Sequence, residues 1–250
     1  MTSIIPITTP LGGAVTQAIR AGDIAALRRL LDEHPGLAAS GIGGSPGGRG
    51  CTDEVRSLLH VATDWPGHFP NGPAIVSALL AAGADVHARF VGSHTETPLH
   101  WAASSDDVAI VDTLLDAGAD IDAPGAVIGG GSPLADAVAF GQWQAARRLV
   151  ERGAQVNLWQ AAALGVMDRV EALTAADPPP DRDAITQAFW LACHGGQRAS
   201  AAHLLAHGAD PNWIGYEGLT ALDAARRSNA GDDLIQWLTS IGAHSSGDRA

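Results

Sequence analysis

The sequence predicts an all-α solenoid of helical hairpins, and three observations predict it. The dipeptide Gly-Ala recurs at 83, 118, 153, 208 and 242, mostly about 34 or 35 residues apart, which is the period of a repeat array. Each copy follows an apolar stretch: Leu79-Leu80, Leu114-Leu115, Leu149-Val150, Leu204-Leu205 and, more loosely, Leu238-Thr239. About twenty residues before the second copy stands Thr97-Pro98-Leu99-His100-Trp101-Ala102-Ala103, a helix start with a capping threonine and a proline in the first turn.

Residues 97 to 123 therefore read as helix, short turn, antiparallel helix and a glycine-terminated exit, because a glycine after the last apolar residue can turn left-handed without a Cβ clash. This unit closely resembles the ankyrin repeat. Looser copies are Ser57-Leu58-Leu59-His60-Val61-Ala62, Ser132-Pro133-Leu134-Ala135-Asp136-Ala137 and Thr220-Ala221-Leu222-Asp223-Ala224-Ala225. With an amino-terminal unit containing Ala21-Gly22-Asp23 and Leu30-Leu31, and a unit from Ile185 to Asn212, the resemblance covers nearly the whole chain. The expected repeats are approximately 14–38, 56–89, 96–123, 131–157, 158–177, 184–212 and 219–244, within one domain of 1–250. Asn157 runs directly into Leu158-Trp159-Gln160, so the fifth repeat is expected to lack its finger.

The resemblance implies about seven helix-turn-helix repeats with short β-turn fingers, each burying its apolar face only against a neighbour. The end units should then be polar outside, which Arg20, Arg28 and Arg29 at one end and Arg226, Arg227, Asp232 and Asp233 at the other would satisfy.

Composition narrows the class. With 46% hydrophobic residues and a mean hydropathy of +0.08, the chain has ample apolar surface for a core. All 15 basic residues are arginine, the composition of a GC-rich bacterial gene. A net charge of −12 opposes a phosphate backbone, so nucleic acid is not the expected partner. Cys51 and Cys193 show neither disulfide nor zinc spacing, and no metal or cofactor is expected. The start, Met1 to Leu11, lacks the pattern of a secretory signal, and no apolar run reaches membrane length; a cytoplasmic location is expected.

Function has to be read from the departures, since one fold hosts many roles. The Gly-rich stretches 40–50 and 124–131 sit where fingers belong, either as covers over a ligand or as insertions without a role. Neither carries the Lys-Ser/Thr of a phosphate loop. The insertion 64–73 places Trp65, His68 and Phe69 on a turn. Among the other tryptophans, Trp101, Trp143 and Trp237 are expected in the core, while Trp159 and Trp190 stand in for the motif's turn histidine.

The family's usual binding positions, carried over residue by residue, are Asp64 and Trp65, Ser104 and Ser105, Ala139 and Phe140, Ala163 and Leu164, and His194 with Gly195. The finger side adds Phe90, His94, Glu96, Trp213 and Tyr216. That concave, aromatic-lined face fits a protein partner; the alternative is a small-molecule-binding protein or enzyme with an enclosed pocket. For such chemistry the candidate acid-base groups are His94 and His194, with Asp64, Glu96 and Asp136 as partners. His60 and His100, the motif's own histidines, are expected to be structural, and a hydrogen-bonding role competes with catalysis for His194.

Overall fold

The computed structural model describes residues 3–44 and 54–248. The chain divides into two compact units, residues 1–154 and 155–250. Part of the Gly-rich finger, residues 45–50, and Cys51 lie outside the described residues.

In unit 1–154, four helix pairs follow one another: α1 (Pro10–Ala21) with α2 (Ile24–Glu33), α3 (Leu58–Thr63) with α4 (Gly72–Ala81), α5 (Pro98–Ser104) with α6 (Val108–Asp116), and α7 (Pro133–Ala139) with α8 (Trp143–Glu151). In unit 155–250 there are three: α9 (Leu158–Leu164) with α10 (Met167–Thr174), α11 (Arg182–His194) with α12 (Arg198–Ala206), and α13 (Ala221–Arg227) with α14 (Asp232–Ser240). The first helix begins at Pro10, four residues ahead of the expected 14, because the Thr9 hydroxyl caps it by accepting from Gly12 N–H at 3.1 Å. Likewise α11 begins at Arg182, capped by Asp181, and is longer than the other leading helices in its unit.

Every second helix from α4 on that precedes a Gly-Ala pair ends alike. Gly83, Gly118, Gly153, Gly208 and Gly242 take φ of +93°, +88°, +98°, +94° and +83°. The next residue's N–H then reaches back five positions to a buried leucine carbonyl: Ala84 to Leu79, Ala119 to Leu114 and Ala154 to Leu149, all at 3.0 Å, Ala209 to Leu204 at 3.2 Å and Ala243 to Leu238 at 3.0 Å. This six-to-one closure is the physical meaning of the dipeptide: glycine supplies the left-handed turn and the buried leucine anchors it. Those five leucines are fully buried.

Side-chain links from α3, α5 and α11 to the segment after each form a seam within the units. His60 Nδ1 accepts from Ser57 N–H (3.3 Å), which leaves the proton on Nε2 to donate to the Glu96 carbonyl (3.1 Å). His100 does the same, with Thr97 N–H at 3.1 Å and the Gly131 carbonyl at 3.3 Å. Burial pushes His60 down to about 3 and His100 down to about 4, so both are neutral. In unit 155–250 Trp190 holds the histidine position, as expected, and its indole N–H donates to the Leu219 carbonyl at 2.9 Å. The expectation for Trp159 is corrected: Gln160 takes the histidine's place, exchanging capping bonds with Asn157, and Trp159 falls one position earlier where leucine usually stands.

Two further expectations shift. Trp101, Trp143 and Trp237 are half-buried rather than core. A small sheet accompanies the helices: β1 (Ile4–Pro6) pairs parallel with β2 (Gly41–Gly43), which pairs antiparallel with β3 (Val55–Ser57). Among the described residues no helix is long and apolar enough to cross a membrane.

Candidate functional site

In unit 1–154 three of the sequence-predicted residues, Phe90, His94 and Asp136, gather around Glu96, on the finger just before α5. Its backbone carbonyl accepts from Phe90 N–H (2.8 Å) as well as from His60. Its carboxylate accepts from the Trp101 indole N–H (2.8 Å) and from Val127 N–H (3.3 Å), and His94 Nδ1 lies 2.7 Å away. Asp136, fully buried on α7, faces the same carboxylate and accepts from Ile128 N–H at 3.4 Å. Burial, then the hydrogen bond to Glu96 and its charge, push the Asp136 carboxyl up to about 8, so it holds a proton and donates it to Glu96. The pair thus grips the 124–131 finger through two backbone amides of its middle, Val127 and Ile128.

Phe90 stacks on His94 with ring centroids 4.5 Å apart and lies 5.4 Å from Trp101. At 4% exposure it supports this cluster from beneath, so the expectation of Phe90 as a surface anchor is corrected: the finger folds its ring inward. His94 keeps a side-chain exposure of 21%, against 5% for Glu96. With Glu96 5% exposed and Asp136 fully buried, the geometry of the carboxyl pair is that of a clamp between neighbouring fingers.

Asp64, at the end of α3, receives Arg20 Nη2 at 2.6 Å and Arg56 Nη1 at 3.3 Å on one oxygen, with Glu54 3.7 Å from Arg56. Arg20 was expected on a solvent-facing end surface; its pairing with Asp64 of the following repeat turns it inward. Asp64 therefore stands with two arginines and apart from the Glu96 cluster's hydrogen bonds. Next to it Trp65 is 78% exposed. Its turn is fixed on both sides: Gly67 N–H donates to the Asp64 carbonyl (2.8 Å), His68 N–H to the Asp107 carboxylate (2.9 Å) and the Asn71 amide to the Gly22 carbonyl (2.9 Å). Ser104 is half-buried, Ser105 is buried beneath Gly67, and Phe140 at the end of α7 is 49% exposed.

In unit 155–250 the finger before α13 carries Trp213, Ile214 and Tyr216. Tyr216, 46% exposed, meets Trp213 and Trp190 edge-on at 6.0 and 5.2 Å. Leu164 is half-buried at the end of α9. His194 lies on α11, its ring 5.6 Å from Trp190; burial, followed by the charge of Arg227, holds its pKa below the usual value. Cys193 beside it is buried, and that burial pushes its thiol far up. Among the described residues no group of three or more His, Cys, Asp or Glu is placed to hold a metal.

Arg56 was not among the residues read from the sequence; it lies 5.9 Å from the Trp101 ring and only long-range pairing reveals it. No curated protein matches the chain. Residues 59–159 match the family model for ankyrin repeats in three copies. Such repeats are generally protein–protein interaction modules. With helix pairs, glycine exits and turn histidines of this form, residues 59–159 are a run of ankyrin repeats.

Proposed function

We propose that this protein is a binding module that recognises a partner protein through the concave, aromatic-bearing face of its repeats. The observation that carries the reading is Trp65: a large ring, 78% exposed, on a turn held by hydrogen bonds to two other segments, at Asp107 and Gly22. A rigid turn presenting an indole to solvent contributes little to its own fold, and tryptophan is the residue type most enriched among interface hot spots. Phe140 and, in the other unit, Tyr216 supply further exposed ring surface, with the half-buried Trp213 beside Tyr216. The proposed contact set also includes Asp64, His94, Ser104 and Ser105 within unit 1–154 and, separately, Leu164 and His194 within unit 155–250.

The test is affinity capture from the source cells with the wild-type chain and with Trp65→Ala immobilised in parallel. A partner retained by wild type and lost by at least about tenfold in the variant, with thermal unfolding unchanged, supports the reading. Equal retention by both overturns Trp65 as the anchor.

A further inference from the structure

Within unit 155–250 the finger before α13 holds two rings at right angles. The planes of Trp213 and Tyr216 cross at 88° with ring centroids 6.0 Å apart. Tyr216 is 46% exposed and the neighbouring Ile214 43%, while Trp213 is half-buried. Trp213 rests against the Gly215 backbone, where a Cβ would come within 2.3 Å of its ring. Tyr216 also packs on Trp190, which is only 6% exposed and lies 5.2 Å away at 76°.

The finger is fixed from several sides. Gly215 N–H and the Trp190 indole N–H both donate to the Leu219 carbonyl at 2.9 Å, and Leu219 N–H donates to the Tyr216 carbonyl at 3.1 Å. Glu217, held at φ +56°, pairs with Arg227. The rings therefore stand in place without a ligand to order them, which lowers the entropy lost on binding. A cation on the bisector of this right angle stands about 4.2 Å from each centroid, inside the roughly 6 Å reach of a cation–π contact. The ring faces carry electron density but no hydrogen-bond acceptor, so a bare ammonium would give up water there without replacement. A methylated ammonium has few or no N–H bonds to satisfy, and its methyl groups match the rings and Ile214. The net charge of −12 favours cations at long range, and the Glu217–Arg227 pair adds no net charge of its own.

We propose that the right angle between Trp213 and Tyr216 binds a methylated ammonium group, its charge over both ring faces and its methyl groups against them. The same chemistry comes from a free choline-like cation or from a trimethylated lysine side chain. The inference goes beyond the partner-protein reading and does not depend on Trp65, which lies in the other unit.

The experiment is an NMR titration of the full chain, read at the Trp213 indole N–H and the Tyr216 amide. The probes are choline, its neutral carbon isostere 3,3-dimethyl-1-butanol, and a capped Ala-Lys-Ala peptide with the lysine trimethylated or unmodified. Saturable shifts are expected with choline and with the trimethylated peptide, at least about tenfold weaker with the isostere and the unmodified peptide. Tyr216→Leu and Trp213→Leu are each expected to weaken binding by about tenfold, Trp213→Phe by no more than about threefold because a ring face remains, and Trp65→Ala not at all. Should Trp213→Leu unfold the finger, the exposed Tyr216→Leu and the conservative Trp213→Phe still decide. Tighter binding of the trimethylated peptide identifies a polypeptide side chain as the source, and tighter binding of choline a free cation. Equal binding of choline and its isostere, or of the two peptides, overturns the proposal. So does the lack of saturation by about 50 mM of either cation, or indifference to Tyr216→Leu.

Discussion

Replacing Asp136 with asparagine should make the protein more stable in mild alkali. In the folded chain the Asp136 carboxyl keeps its proton to about 8, whereas in the unfolded chain it releases it near the ordinary 3.8. Between those values the folded state binds more protons than the unfolded state, so stability is fully present below the lower value and falls as pH rises toward the upper one. Each pH unit in that window costs about 1.4 kcal/mol. The histidines would obscure the lower part of the window, because His60 and His100 are held down to about 3 and about 4 and affect stability below their ordinary 6.5. Above 6.5 only about one and a half units remain, so wild type should lose about 2 kcal/mol between pH 6.5 and 8.5 through this carboxyl. Asparagine keeps an oxygen for Ile128 N–H and offers an amide to Glu96, with nothing to ionise. The assay is urea unfolding at pH 6.5, 7.5 and 8.5, with exchange of the Val127 and Ile128 amides as the local readout. A variant that parallels wild type across this range, or is less stable at pH 8.5, refutes the shared-proton account.

Other predictions address the repeat itself. Acid should unfold the protein as pH falls below 6.5 toward 4, because unfolding frees His60 and His100 to take up protons; His100→Gln, copying Gln160, should reduce that loss in a pH-jump melt. Gly118→Ala should cost about 1 kcal/mol, from the left-handed backbone alone, since nothing lies within 4 Å of the added methyl. Gly22→Ala should cost at least about 2 kcal/mol more, since its Cβ would sit 2.0 Å from the Pro70 carbonyl oxygen, and equal melting temperatures would contradict this difference. Trp190→Phe should cost about 0.5–1.5 kcal/mol by removing one of two hydrogen bonds to the Leu219 carbonyl, which still accepts from Gly215 N–H at 2.9 Å, read by chemical denaturation of the full chain. Trp213→Ala should weaken partner capture by at least about 2 kcal/mol with little change in melting, and unfolding instead would mean that its ring is structural.

The hairpins were legible in the sequence because their signals are local. Thr97-Pro98 opens a helix and Leu114 with Gly118-Ala119 closes one within a span that hydrogen bonds can bridge. What escaped notice depends on distance along the chain. Arg20 and Asp64 are 44 residues apart, and Arg20 looked like an end-surface arginine until its carboxylate came into view. Trp101 fits an apolar position by spacing, but its indole N–H is directed at Glu96, a polar demand that periodicity does not record. Phe90 looked like a finger-tip ring because the finger's own fold, with Phe90 N–H bonded to the Glu96 carbonyl, cannot be read from residue types. Glu96 and Asp136 were recognised as possible partners for histidine, yet their pairing across 40 positions needed the finger between them to be placed.

The substitution of indole for imidazole at Trp190 has a wider consequence. Two chemically unlike rings deliver an N–H to the following segment's carbonyl from the same rung, at 2.9 Å in one case and 3.1 Å in the other. Inheritance in such arrays can therefore conserve the rung while the ring drifts. A search keyed to histidine would pass over a repeat built like this one, and a designer could swap a proton-accepting ring for a non-titrating one wherever acid tolerance is wanted.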